Sequence, residues 1–114
     1  VGDLAFLHDL TALVNREDLK LKLIVINNDG GGIFSMLPQA GVQGFEKIFG
    51  TPHGQDLFEI ANAFKIPVTE IDDLKSLKQF MSPPSKFEIA ILQMPNREDN
   101  AATIKELAKR VNYR

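Results

Sequence analysis

Two short clusters in this sequence could do chemistry. Gly2-Asp3 sets a carboxylate beside a glycine, and Asn27-Asn28-Asp29-Gly30-Gly31-Gly32 sets amide oxygens, a second carboxylate and backbone carbonyls in a glycine-rich run. Carboxylate, amide and backbone carbonyl are hard oxygen donors of the kind a small divalent cation takes, and such cations keep positions open for phosphate oxygens. Glycines beside the donors let the backbone approach a bulky anion. The same residues also have plain structural readings. Asp3 suits the start of a helix, and Asn-Asn-Asp-Gly is good turn chemistry after a strand with no ligand at all.

The segments around the clusters must position them. Leu4 to Asn15 reads as a helix, with Phe6, Leu10, Leu13 and Val14 on one apolar face and Asp3 at the N-cap. After the polar break Arg16-Glu17-Asp18, Leu21 to Ile26 reads as a strand. Its continuously apolar end, Leu23 to Ile26, predicts burial on both faces of a parallel sheet. Asn27 to Gly32 is a turn or loop. Ile33 to Gly54 is a long irregular stretch with a short helix expected near Phe45 to Phe49. Loops of this length are more often functional than filler, and this one could order as a lid over a ligand.

Three helices follow. They are Asp56 to Phe64 with Leu57, Ile60, Ala61 and Phe64 inward, Asp73 to Met81 capped by Asp72 with Leu74, Leu77 and Phe80 inward, and Asn100 to Val111 with Ile104, Leu107, Ala108 and Val111 inward. Val68 to Ile71 and Phe87 to Met94 read as strands, and Ser82-Pro83-Pro84-Ser85 as a turn. Strands separated by helices predict an α/β fold, a parallel sheet with helices on both faces. Ligands in such sheets bind beyond the C-terminal strand ends. Asn27 to Gly32 lies at one such end, and Asp3 would lie at another if a strand preceded it.

A length of 114 residues fits one domain, and the absence of cysteine excludes disulfides and thiolate metal sites. A formal net charge of -2 gives no sign of a nucleic-acid partner. No apolar run approaches the ~20 residues of a membrane span, and no signal peptide is visible; a cytoplasmic protein is expected. The start on Val1-Gly2-Asp3 reads as a cut end rather than a natural N-terminus. His8 and His53 have no carboxylate or serine at a spacing that makes a triad, and read as structural. Asp72-Asp73 reads as a helix cap and Arg97-Glu98-Asp99 as a solvated helix start. Lys105, Lys109 and Arg110 suit the dipole at a helix C-terminus.

Gly-Asp, a helix, and a strand ending in Asn-Asn resemble the diphosphate motif of the thiamin-diphosphate enzymes. Within that group, Gly2 to Leu10, Asn27 to Ser35, Phe45 to Gly54 and Asn96 to Asn100 look like the menaquinone-pathway branch, which makes 2-succinyl-5-enolpyruvyl-6-hydroxy-3-cyclohexene-1-carboxylate. Leu4 replaces the second glycine that most thiamin enzymes carry, as in that branch. The resemblance covers the whole chain. It implies the C-terminal part of a thiamin-diphosphate-binding domain, in a synthase that decarboxylates 2-oxoglutarate and adds the resulting unit to isochorismate. It also implies a dimer or larger homo-oligomer.

By the same resemblance Asp3, Asn28 and the Gly30 carbonyl hold Mg²⁺ (or Mn²⁺), with two diphosphate oxygens and a water completing its shell. Asp3, Leu4, Asn28, Gly30, Ile33 and Phe34 bind the cofactor, Asn27 braces the loop or touches the diphosphate rather than ligating metal, and Asp29 stays off the metal. The residue that activates the cofactor and the arginines that bind substrate lie outside this chain, so no catalytic residue is assigned here and the segment alone is expected to be inactive. Two other readings stand beside this one. One is another thiamin-dependent carboligase or decarboxylase, which would usually carry glycine at position 4. The other is a non-catalytic α/β binding module whose Asn-Gly loop is only a turn.

Overall fold

The chain runs α1 (Asp3–His8), β1 (Lys22–Asn27), α2 (Leu57–Ala63), β2 (Val68–Ile71), α3 (Leu74–Phe80), β3 (Glu88–Gln93) and α4 (Arg97–Val111) in a computed structural model that describes residues 1–14, 16, 18–38 and 41–111. A 3₁₀ turn, Leu10–Leu13, follows α1. A second, Gly32–Met36, and a π-helical turn, Glu46–Gly50, lie between β1 and α2. These elements form two compact units, Val1–Asn27 with Gln55–Gln93, and Asn28–Gly54 with Met94–Arg114.

In the first unit the three strands make a parallel sheet in the order β1-β3-β2, with Val25 opposite Ile91 and Ile71 opposite Leu92. Successive strand side chains point to opposite faces. Leu23, Val25, Ile89 and Ile91 pack with Phe6, Leu13, Leu57, Ala61 and Ile66 on one side. Ile24, Ala90, Leu92 and Ile71 pack with Leu77 and Phe80 on the other. Helices α1 and α2 therefore cover one face and α3 the other, and the expected α/β class holds. The Arg16 guanidinium ties the end of the first 3₁₀ turn to α2 by donating to the carbonyls of Leu13 and Phe64.

Val1 and Gly2 run along β1 as an isolated parallel bridge rather than as a strand. The Val1 nitrogen donates to the Ile24 carbonyl at 2.8 Å, the Ile26 amide donates to the Val1 carbonyl at 2.8 Å, and Gly2 bridges Ile26 in parallel.

Several local expectations in this unit are corrected. Gly2, not Asp3, is the N-cap of α1, so Asp3 is its first helical residue. The helix ends at His8 and tightens into the 3₁₀ turn, which leaves Val14 exposed. Asn15 and Glu17 lie outside the described residues. Ile26 is 43% exposed rather than buried, because α3 packs at β2, on the opposite side of the sheet from β1. The cap of α3 is Asp73 rather than Asp72. Its carboxylate accepts from the Ser76 amide at 2.6 Å while the Ser76 hydroxyl receives the Asp73 amide at 3.2 Å, a reciprocal capping box. This start leaves Leu74 exposed and Leu77 and Phe80 inward.

In the second unit α4 begins three residues earlier than expected. Asn96 caps it: its Oδ1 accepts from the Asp99 amide at 2.9 Å and its Nδ2 donates to the Asp99 carboxylate at 2.7 Å. Among the described residues, burial on α4 is confined to Ala101. Ile104, Leu107, Ala108 and Val111 are exposed, the reverse of the expected inward face, because within this unit α4 packs against the short Gly32–Met36 turn rather than against a sheet. The stretch from Ile33 to Gly54 is not structureless. Two helical turns organise it, with Gln39 and Ala40 outside the described residues.

Candidate functional site

The bridge between Gly2 and Ile26 brings Asp3 to the C-terminal end of β1. With Gly2 facing Ile26, the next residue on each side is Asp3 and Asn27. Asp3 is buried, and its Oδ1 accepts from the Leu4 amide at 2.7 Å, which orients the carboxylate over the first turn of α1. Asn27 is also buried. Its Nδ2 donates to Gln93 Oε1 at 2.8 Å across the β1–β3 pair, so Asn27 braces the strand end. His8 lies exposed at the far end of α1.

The chain leaves β1 into the second unit, where Asn28, Gly30, Ile33 and Phe34 lie together on one loop and its turn. Gly30 has φ 121°, a conformation an L side chain rarely adopts, and a Cβ there would run into the carbonyl oxygen of Gly50. The Gly31 amide donates to that same carbonyl at 2.7 Å. A Cβ on Gly31 would meet the Phe49 carbonyl and the Phe34 ring, and one on Gly32 would meet the Asn28 side-chain amide. The glycines therefore seat the loop against residues 49–51 and let the Asn28 side chain fold over Gly32.

Asp29 has a different task. Its Oδ1 accepts from the Gly54 amide at 2.8 Å and the His53 amide at 3.1 Å, with His53 Nδ1 at 3.7 Å. The Gly54 amide above all, then the His53 amide and imidazole and the Arg97 guanidinium, hold the Asp29 carboxyl below the ordinary carboxylate value, against an opposing effect of burial. Asp29 is thus a loop tie, with φ 58°. The His53 backbone amide thus has a structural part in this tie.

Arg97 departs from the expected solvated helix start. Its side chain is only 13% exposed, and Nη2 lies 2.6 Å from Glu46 Oε2. Arg97 and Glu46 line, with Asn28, Asp29, Asn96 and Glu98, a cavity of about 180 Å³. Of its three carboxylates, Glu46 is paired with Arg97 and Asp29 accepts from the His53 and Gly54 amides. Ile33 is 75% exposed and Phe34 38%, and the Phe34 ring lies 5.8 Å from that of Phe49.

The donor chemistry fits a small hard cation. Asp3 offers carboxylate oxygen, Asn28 amide oxygen and Gly30 a backbone carbonyl. Among the described residues there is no cluster of three or more His, Cys, Asp or Glu suited to a metal, and a set with one carboxylate is not of that kind. Asp3 and Leu4 belong to the first unit, and Asn28, Gly30, Ile33 and Phe34 to the second. Sequence reasoning missed the Asn96 cap, although Asn-x-x-Asp is a capping-box spacing. It also missed the Arg97–Glu46 pair, which joins residues far apart in the chain and leaves no local signal.

No family model matches the chain. Individual proteins do. A 2-succinyl-5-enolpyruvyl-6-hydroxy-3-cyclohexene-1-carboxylate synthase of Lysinibacillus sphaericus is 35% identical over 116 aligned residues, covering 98% of this chain and 20% of that protein. A synthase of the same name from Leuconostoc mesenteroides is 39% identical over 93% of this chain and 21% of its own length. One from Thermobifida fusca is 47% identical over 63% of this chain and 14% of its own length. The chain thus spans about a fifth of the length of the first two of these relatives.

Proposed function

We propose, for a chain that belongs to the 2-succinyl-5-enolpyruvyl-6-hydroxy-3-cyclohexene-1-carboxylate synthase family, that it is the segment anchoring thiamin diphosphate and Mg²⁺ within a longer enzyme. In this reading residues 1–114 are part of a larger, cytoplasmic, homo-oligomeric protein of menaquinone biosynthesis. The whole enzyme decarboxylates 2-oxoglutarate and adds the succinyl unit to isochorismate. The observation that supports the reading is the pairing of Gly2 with Ile26, after which Asp3 and Asn27 follow at the C-terminal end of β1.

The residues divide the work by their chemistry. The Asp3 carboxylate, the Asn28 amide oxygen and the Gly30 carbonyl would hold Mg²⁺, or Mn²⁺ in its place, and the bound ion would supply positive charge to the diphosphate. Leu4, at the start of α1, and the exposed Ile33 and Phe34 offer apolar contact to the cofactor and exclude water beside it. When bound, thiamin diphosphate supplies the nucleophilic carbon chemistry by which 2-oxo acids lose carbon dioxide. Asp29, tied to Gly54 and His53, stays off the metal and keeps the loop in shape.

Calorimetric titration of the full-length protein with thiamin diphosphate, with Mg²⁺ and with EDTA, tests this. Metal-dependent binding weakened by about 100-fold or more in Asp3→Ala and in Asn28→Ala is the expected result. Binding that survives both substitutions overturns the ligand assignment and leaves Asn27 to Gly32 as a plain turn.

A further inference from the structure

We infer that Arg97 and Glu46 are a positioning pair that sets the Asn28–Gly32 loop by filling the space above Gly50; its bearing on cofactor affinity rests on the function proposed above. A chain of contacts inside the second unit carries this. The Arg97 guanidinium pairs with Glu46 at 2.6 Å, and the two groups occupy the place a Cβ of Gly50 would take. Gly50 is buried, and its carbonyl receives the Gly31 amide and blocks any side chain on Gly30. The Arg97 stem also passes beside Gly32, over which the Asn28 amide folds. One side chain therefore lies with its guanidinium over the backbone that seats the loop and with its stem beside Gly32 of the loop.

The energetics point the same way. Arg97 Nη1 is buried with no hydrogen-bond partner among the described residues. A buried donor left without an acceptor opposes stability, so this arrangement is a poor choice for stability alone. What the planar fork supplies is a fixed geometry, and a lysine, with one point charge on a flexible stem, cannot reproduce it. Glu46 acts through Arg97. Its own carboxylate is 55% exposed and holds the guanidinium in its place over Gly50.

The test uses the full-length protein and begins without cofactor. Hydrogen exchange of the 28–32 segment in Arg97→Ala is expected to rise by about tenfold, since the Gly31 amide loses its seat. Calorimetry is expected to show Mg²⁺-thiamin diphosphate affinity weakened by about 10- to 100-fold, with kcat at saturating cofactor within about threefold of the parent. Glu46→Gln should reproduce part of both effects, and Arg97→Ala with Glu46→Gln should be no worse than Arg97→Ala alone. Arg97→Lys, which preserves charge and most of the stem, gives the same two readouts if the alanine variant does not fold. Unchanged exchange and unchanged affinity in Arg97→Ala and Arg97→Lys overturn the inference, as does full additivity of the Arg97 and Glu46 effects. If exchange rises but even the parent protein binds no cofactor, the positioning pair stands and the proposed function falls.

Discussion

The Gly50 carbonyl receives the Gly31 amide at 2.7 Å and lies where a side chain on Gly30 would have to go. The glycine run is thereby fixed by its own neighbours before any ligand is considered. Gly30→Ala must both adopt a positive φ and displace the backbone at residues 50 and 51, and a cost of about 3 kcal/mol or more is expected. Gly2 differs, with open space around the position of a Cβ and φ of -81°. Gly2→Ala should leave stability within about 0.5 kcal/mol. Paired thermal unfolding curves check both. If Gly2→Ala is stable yet loses cofactor affinity, close approach to the diphosphate is the reason for glycine there.

Asp29 makes the loop sensitive to acid. Its carboxyl is held below the ordinary value of 3.8, first by the Gly54 amide. A depressed carboxylate contributes stability above its unfolded value and loses it as pH falls through the lower folded value. The tie between Asp29 and residues 53–54 is therefore intact at neutral pH and is lost only as pH falls through the carboxyl's lowered folded value. Asp29→Ala removes it at every pH and sets alanine at φ 58°, with an expected cost of about 1–2 kcal/mol. Asp29→Asn keeps an acceptor oxygen and tolerates that φ, so the change should be smaller. Amide exchange at Gly54 against pH separates the three proteins. Protection that persists unchanged in Asp29→Ala would remove the tie from the account.

The fold was largely legible because strand and helix periods were clean. Ile89, Ala90 and Ile91 alternate between two covered faces, as an apolar central strand should. Misreadings cluster where local pattern and tertiary surroundings part. Leu74, Ile104, Leu107 and Val111 sit at helical spacing, yet the structure covers none of them. Periodicity reports that a face is apolar, not what lies over it. Helix starts moved because a cap depends on backbone conformation and hydrogen bonding: Asp73 is extended and accepts the Ser76 amide, and Asn96 accepts the Asp99 amide. In the site, short-range chemistry such as the glycine turn was readable. The Arg97–Glu46 pair and the Asp29 tie to residues 53–54 were not, since each joins segments distant in sequence.

That distinction between an apolar face and a covered one can be measured. Ile89 is fully buried on the central strand, and Ile89→Ala should cost about 2–5 kcal/mol through lost transfer energy and a residual cavity. Ile104 is 40% exposed on α4, and Ile104→Ala should cost less than about 1 kcal/mol. Denaturant unfolding of each variant gives the comparison. A large loss at Ile104 would mean that α4 is covered along the expected Ile104, Leu107 and Val111 face after all.

The start of α3 offers a test at single-residue resolution. Asp73 accepts from the Ser76 amide, and the Ser76 hydroxyl returns the interaction, while Asp72 precedes the helix. The Ser76 amide, followed by the Ser76 hydroxyl, holds the Asp73 carboxyl below its ordinary value of 3.8. By the sign rule for a depressed carboxylate, the cap contributes above that value and is lost as pH falls through the lowered one. Asp73→Ala should therefore lower the melting temperature at pH 7 but make little difference under strongly acidic conditions, where the parent cap is also protonated. Asp72→Ala should leave the melting temperature unchanged at either pH. Ser76→Ala removes the returning half of the box and should fall between them. Melting curves of the three variants at neutral and acid pH check the assignment, and a larger loss from Asp72→Ala than from Asp73→Ala would move the cap back one residue.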